Sequence, residues 1–190
     1  MQGPLGNPAP GLAPPALRNT GVPPAPPAPP LPQEVAQTAV SQLRLPSPVI
    51  ATNPLGEQIV NVPTWLWIAP ASWVPVSAAA AVPGVSVTAT ATPQRVIWTT
   101  GDGATVTCAG PGTAYSTRFD PASTSPDCGH TYVRSSASQP GAAYTLSATI
   151  EWTVTWAGAG QTGVVPGMRT TAQVATRVAE VQAVVVDYRP

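Results

Sequence analysis

The stretch YTLSATIEWTVTW, residues 144–156, decides the fold. Apolar residues occupy every even position from Tyr144 to Trp156, and Thr, Ser or Glu occupies every odd position between them. Successive side chains of a strand point to opposite faces of a sheet, so this period of two predicts a long antiparallel strand with one buried face. The sequence therefore predicts an all-β domain.

Other segments predict shorter strands around this one. Residues 85–91 alternate Val or Ala with Ser or Thr, which again gives one apolar face. Residues 58–69 are rich in Ile, Val and Trp but contain Pro63, which is typical of an edge strand or a bulged strand. In residues 171–188 the valines also fit a helical spacing, but the density of β-branched residues favours a strand.

Composition divides the chain into four segments. The chain has 26 prolines in 190 residues, concentrated in residues 1–32, which we expect to be a Pro/Ala-rich spacer in an extended polyproline II conformation. Residues 33–45 have helical spacing of apolar residues and predict a short amphipathic helix. Residues 46–81 are expected to form Trp- and Pro-rich leading strands, and residues 82–190 the main β-domain.

The chain carries few charges. Lys plus Arg and Asp plus Glu each number 8, and charged residues are 8% of the sequence, against about 25% in typical domains. A net charge of zero provides no basic surface for phosphates, so nucleic acid is not an expected partner. The sequence also lacks the GxxxxGK[ST] loop that would bind a nucleotide.

Cys108 and Cys128 are the only cysteines. They stand 20 positions apart without CxxC or Cys/His ligand spacing, which favours a disulfide over a metal site. We therefore expect an extracytoplasmic location, secreted or in the cell envelope, with a cytoplasmic protein as the alternative. Met1 is not followed by a signal peptide pattern, so a membrane is expected to be a partner only through an N-terminal anchor that precedes this sequence.

One pattern carries a resemblance to a known family. Trp98 precedes the turn Gly101-Asp102-Gly103, and His130-Thr131-Tyr132 follows the cysteine pair. This pattern resembles the PKD domain over about residues 82–186, and the chain is also similar to secreted proteins of Streptomyces-like actinobacteria. The resemblance implies an Ig-like antiparallel β-sandwich of about seven strands. In this chain Thr99-Thr100 replaces the usual Asp-Phe, and the interval from Gly103 to His130 is longer than usual.

The motif has a structural interpretation and two functional ones. Glycines on both sides of Asp102 permit positive φ, which is typical of a tight turn. A calcium site that uses Asp102 with Asp120 or Asp127 is one alternative, although no DxDxDG cluster is present. His130 is the only histidine, and without GxSxG, HExxH or paired histidines the sequence favours a structural histidine over an enzyme. We expect no catalytic residue, no metal and no cofactor.

The tryptophans are the remaining candidates for binding. Trp98, Trp152 and Trp156 are expected in the core. Trp65, Trp67 and Trp73 are expected to pack between elements, with an exposed sugar-binding platform as the alternative. The sequence thus predicts a non-catalytic cell-envelope module for adhesion, spacing or assembly, whose partner is an envelope protein or a polysaccharide. An accessory carbohydrate-binding domain is the second hypothesis.

Overall fold

The computed structural model describes residues 29–181 and confirms an all-β chain. Within these residues it has one α-helix, ten strands and 3-10 turns at Pro70–Ser72 and Pro140–Ala142. The helix is α1 (Pro32–Ser41), and the strands are β1 (Ile50–Asn53), β2 (Gln58–Ile59), β3 (Pro63–Ile68), β4 (Val76–Val82), β5 (Val85–Thr99), β6 (Thr105–Cys108), β7 (Gly129–Thr131), β8 (Tyr144–Gly158), β9 (Gln161–Thr176) and β10 (Val178–Ala179).

The large sheet has the order β4-β5-β8-β9, and β6 pairs with the second half of β5. All its pairs are antiparallel, and β8 contains the alternating stretch that predicted it. The pairing register shifts between Pro93 and Arg95 of β5 and, opposite β9, between Trp152 and Val154 of β8. Such irregularities bend strands and increase their twist, which accounts for the half-barrel curl of this sheet.

A small antiparallel sheet, β1-β3-β7, covers one half of the inner face of the large sheet. Leu66 and Ile68 of β3 belong to the same core as Trp98 of β5 and Ile150 of β8, and none of the four is more than 1% exposed. The short strands β2 and β10 form a separate parallel pair. The predicted core positions of Trp98 and Trp152 are thus observed, whereas Trp156 is only partly buried.

The helix α1 covers the other half of the inner face, and its contacts are with β4, β5 and β8. It begins with Pro32, where the missing N–H is not needed, and Glu34 accepts a hydrogen bond from the Leu31 amide. Its buried residues Val35, Ala36 and Ala39 belong to the main core. The helix therefore packs on the sheet as part of the domain. Residues 1–28 of the expected spacer lie outside the described residues.

Two predictions about strands need revision. Residues 58–69 form two strands in different sheets, because the chain turns at Asn61, which has a φ of 62°. β3 lies in the centre of its sheet, so the edge-strand prediction is wrong; Pro63 is tolerated as its first residue. Residues 171–176 and 178–179 are strand, as expected, and residues 182–190 lie outside the described part. No helix within residues 29–181 is long and apolar enough to cross a bilayer.

Candidate functional site

The turn after β5 is built around the carboxylate of Asp102. Gly101 and Gly103, with φ values of 85° and 99°, permit the turn, and a Cβ on Gly101 would lie 2.8 Å from the Thr145 amide nitrogen. Oδ1 of Asp102 lies 2.5 Å from the Thr100 hydroxyl and 3.2 Å from the Ala104 amide, and both donate to it. The aspartate therefore closes its own turn.

The imidazole of His130 completes this arrangement from β7. Its Nε2 lies 2.8 Å from Oδ2 of Asp102, a contact that joins residues 28 positions apart. β7 reaches this position because it pairs with β3, where His130 is opposite Thr64. The contact therefore fastens the end of the large sheet to the small sheet. We call Thr100, Asp102 and His130 the turn lock.

Tyr132 lies beneath the turn lock and is fully buried. Its hydroxyl donates to the Thr100 carbonyl at 3.2 Å, the His130 ring meets it edge-on at 4.7 Å between centroids, and Tyr144 stacks on it at 5.5 Å. Burial, with a smaller contribution from the nearby Asp102 charge, raises the pKa of Tyr132. Tyr132 thus stays a neutral hydrogen-bond donor.

The hydrogen bonds to Asp102 determine its ionisation. Partial burial acts to raise the pKa of Asp102, but hydrogen bonds from Thr100, His130 and the Ala104 amide outweigh it and lower the pKa below its usual value of 3.8. The carboxylate is therefore charged at neutral pH.

The turn lock has the residue types of a hydrolase triad but different connectivity. A nucleophilic hydroxyl must be hydrogen-bonded to the base that activates it. Here the buried Thr100 hydroxyl approaches Asp102 and the Ala104 carbonyl, while His130 contacts the other oxygen of Asp102. In this geometry the three residues hold the turn together and join the two sheets.

The disulfide between Cys108 and Cys128 is confirmed. The two Cα atoms are 5.6 Å apart, and both residues are at most 2% exposed. Cys108 ends β6 and Cys128 precedes β7, so the bond joins the two sheets close to the turn lock.

The loop closed by the disulfide covers the outer side of β3. Trp65 is 1% exposed, its ring contacts Tyr115 and Phe119, and its Nε1 donates to the Ser123 carbonyl. Trp67 is half-buried, and Trp73 is half-buried and packs against the main core. An exposed platform formed by these three indoles is therefore wrong, because the loop that covers Trp65 occupies the place of a ligand.

The aspartates of the calcium alternative belong to separate hydrogen-bond networks. Asp102 is in the turn lock, Asp120 accepts from the Ala122 amide, and Asp127 accepts from the Thr113 amide and hydroxyl. Within residues 29–181 there is no group of three His, Cys, Asp or Glu side chains that could hold a metal ion. The geometry gives the calcium alternative no support.

A polar cavity of about 550 Å³ adjoins the turn lock. Asp102 lines it together with Asn61, Arg134, Tyr144 and Glu180. The sequence did not indicate this cavity, because its lining comes from five segments that only the fold brings together.

Sequence reasoning also missed a charged cluster on the outer face of the large sheet. Arg95 of β5, Glu151 of β8 and Arg169 of β9 stand opposite one another in the strand register. Each guanidinium donates a hydrogen bond to a different oxygen of Glu151. The hydrogen bond from Arg95, and after it that from Arg169, lowers the pKa of Glu151. Only the pairing of the strands brings these residues together.

No family model matches the chain, and no curated protein and no solved structure is similar enough to count as a match.

Proposed function

We propose that this chain is a non-catalytic, extracytoplasmic module of the cell envelope that works in adhesion, spacing or assembly. The observation that carries the proposal is the turn lock. Thr100, Asp102 and His130 have catalytic residue types, yet each is engaged in holding the turn or in joining the two sheets. Because His130 is the only histidine of the chain, this arrangement removes the most obvious general base.

The disulfide supports the extracytoplasmic part of the proposal. Disulfides persist in oxidising compartments and are rare in the cytosol. Both sulfur-bearing residues of this one are buried in the main core, where the bond takes part in packing. An oxidised pair is thus integral to the folded state.

The PKD-like, Ig-like sandwich is the finer part of the proposal. Two sheets share one core, Trp98 is buried within it, and Gly101-Asp102-Gly103 and His130-Thr131-Tyr132 meet at its edge. These are the residues that carry the resemblance. The Pro-rich segment that precedes α1 would serve as a spacer.

The proposal is tested by trapping thiols and fractionating native cells. Cells are treated with an alkylating reagent before lysis, and the chain is followed by mass spectrometry in the cytosolic, membrane and wall fractions. We expect an unalkylated, disulfide-bonded chain in an envelope or secreted fraction. A cytosolic chain with both thiols alkylated would contradict the compartment.

A second measurement tests the non-catalytic part. Variants His130→Gln and Asp102→Asn are compared with the unmodified chain in hydrolase and lyase assays on envelope polymers. We expect no turnover by any of the three. Turnover by the unmodified chain that is lost in variants that remain folded would contradict the proposal.

A further inference from the structure

The outer face of the large sheet has an unusual composition. We define its hydroxyl face by ten outward Ser and Thr residues of four strands that are exposed or half-buried, which are Ser77, Ser86, Thr88, Thr90, Thr92, Thr149, Thr153, Thr155, Thr162 and Thr171. None of them is buried, whereas the alternating residues of β8 from Tyr144 to Val154 are. The same face also carries the apolar side chains of Ile97 and Val164, of which Val164 is 72% exposed, and Trp156 lines a hollow together with four of the ten residues.

Arg95, Glu151 and Arg169 are the only charged residues in the five strands of the large sheet. They lie in one row across the hydroxyl face, because Arg95 is opposite Glu151 and Glu151 is opposite Arg169. Adjacent strands are about 4.8 Å apart, so the two arginines flank the glutamate over about 10 Å. Two cations and one anion leave a net positive charge at this point of an otherwise neutral face.

The two guanidinium groups have donors left for a ligand. An arginine carries five N–H donors, and within residues 29–181 each of these arginines makes one hydrogen bond, to Glu151. Their side chains are 54% and 67% exposed, whereas that of Glu151 is 14% exposed. The glutamate therefore orients the arginines from below, and most of their N–H groups face solvent.

The same row borders a groove of about 740 Å³. Both strand irregularities open onto it, since Gln94 on one side and Gly167 and Met168 on the other line it together with the charged row. The extra residues bend β5 and β9 away from regular pairing, and the groove follows from that bend. Thr153 of the hydroxyl face also lines it.

From this arrangement we propose that the groove binds a polysaccharide that carries carboxylate groups, such as a polymer of uronic acids. The inference rests on the proposed envelope function and names its partner. One sugar carboxylate pairs with the free N–H groups of Arg95 and Arg169, in the forked geometry that guanidinium groups offer to carboxylates. Neighbouring sugar hydroxyls exchange hydrogen bonds with Thr153 and Thr149.

Charge and composition select this occupant over a protein. Protein interfaces have cores rich in aromatic and large apolar side chains. The groove is lined mainly by charged, polar and small residues, and Met168 is its one large apolar side chain that is not buried. Trp152, the aromatic residue next to the groove, is 1% exposed and belongs to the core. A polymer of uronic acids carries one carboxylate and several hydroxyls on each sugar. The carboxylate can pair with the net positive charge of the row, and the hydroxyls can hydrogen-bond with the threonines around it.

The test is calorimetric titration of the oxidised full chain with an oligogalacturonate hexamer at low ionic strength. We expect binding that weakens as salt is added. Arg95→Gln and Arg169→Gln should each weaken binding about tenfold, because each removes a charge-assisted contact. The matched control is Arg118→Gln, which removes the same charge from the exposed disulfide loop and should leave the dissociation constant within about twofold.

The variant Glu151→Gln distinguishes two roles of the charged row, ligand binding and stabilisation of the sheet. The amide oxygen of the introduced glutamine can still accept a guanidinium hydrogen bond, while the charge of the row rises from one to two, so binding should become tighter, by about fivefold. If the row only stabilises the sheet, the variant would not bind more tightly. Near-UV circular dichroism of every variant establishes that the fold is retained.

Three results of the titrations with the unmodified chain would overturn the inference. They are the absence of binding to the oligogalacturonate, equal binding of neutral maltohexaose, and tighter binding of a poly(glycerol phosphate) of matched length, which would assign the site to phosphodiesters. If Arg118→Gln weakened binding as much as Arg95→Gln and Arg169→Gln, the inference would also be overturned, because the binding would then be a general attraction to polyanions. If Arg95→Gln and Arg169→Gln bind the oligogalacturonate as tightly as the unmodified chain, this inference fails while the proposed function stands.

Discussion

The two halves of the large sheet are stabilised in different ways. In the disulfide half, the small sheet covers the second half of β5 and the core contains bulky Trp98, Ile150 and Leu66. In the helix half, α1 covers β4 and the first half of β5, where the buried residues include Ala80, Ala89 and Ala91. A helix approaches a sheet closely only where the side chains between them are small. Alanines therefore lie under α1, and bulky side chains fill the space between the two sheets.

The disulfide and the side-chain contact that join the two sheets both lie in one of these halves. The disulfide half has the Cys108–Cys128 bond and the Asp102–His130 contact, both of which join residues of the two sheets. The helix half is held by apolar packing of α1, and its capping contact from Glu34 stays within the helix. The comparison implies that core truncations should matter in both halves, whereas redox and pH should act on the disulfide half alone.

The largest effect is expected from core truncation in the disulfide half. Leu66→Ala removes a fully buried side chain between the sheets and should lower the free energy of unfolding by about 2 to 5 kcal/mol. Val35→Ala in the helix half removes fewer atoms and should cost about 2 kcal/mol. Urea unfolding measures both. A greater cost for Val35→Ala would show that the helix half is the better packed of the two.

Removal of the disulfide should have the next largest effect. The double variant Cys108→Ala with Cys128→Ala frees a loop of 20 positions and should cost about 3 kcal/mol, because the unfolded chain gains conformations. Urea unfolding of the variant is compared with that of the unmodified chain with and without reductant. A loss below about 1 kcal/mol would mean that packing alone holds the two sheets.

Asp102→Asn should cost about 1.5 kcal/mol at neutral pH, because the charged acceptor in the turn lock becomes neutral. The folded pKa of Asp102 lies below its unfolded value near 3.8, so its contribution is present above about pH 4 and is lost as the pH falls through the folded pKa. The penalty should therefore shrink in acid.

Unfolding of Asp102→Asn and of the unmodified chain is followed from pH 7 to pH 2.5. Asp120→Asn, which alters an exposed turn of the disulfide loop, is the control and should cost less. A penalty for Asp102→Asn that stays constant over this range would contradict the charged role of Asp102.

The smallest effect concerns the helix half, where the indole of Trp156 lies over Gly163. A Cβ on Gly163 would be 2.5 Å from Nε1 of Trp156, so Gly163→Ala should displace the indole and cost about 1 kcal/mol. Acrylamide quenching of tryptophan fluorescence should increase. Gly110→Ala is the matched control, since nothing lies within 4 Å of the Cβ it would add. Unchanged quenching in Gly163→Ala would mean that the indole is free to move.

Local signals predicted much of the fold. The alternation in residues 144–156 and 85–91 predicted β8 and the first half of β5, because a strand with one buried face must alternate. The helix around residues 33–45 and the disulfide were also indicated by spacing. Trp65 shows the limit of such reasoning. Its alternation with Trp67 was evident, but the loop that covers it comes from residues more than 40 positions away.

The candidate sites were less predictable than the fold. The resemblance pointed to Asp102 and His130, but their contact depends on β7 pairing with β3. Arg95, Glu151 and Arg169 gave no signal, since they are single charges in three separate strands. A register shift of one residue would have placed them on different faces.

The amino-acid sequence by itself determined which face of each long strand is apolar, where the helix begins, and that two cysteines are available for one bond. Tertiary structure decided which strands are neighbours, which loop covers Trp65, and which charges meet on the hydroxyl face. The physical reason is the separation along the chain over which each kind of interaction acts. Periodicity and turn residues act over a few positions. The fastening contacts between the sheets and the hydrogen bonds across the charged row join residues 18 to 56 positions apart and exist only once the core has formed.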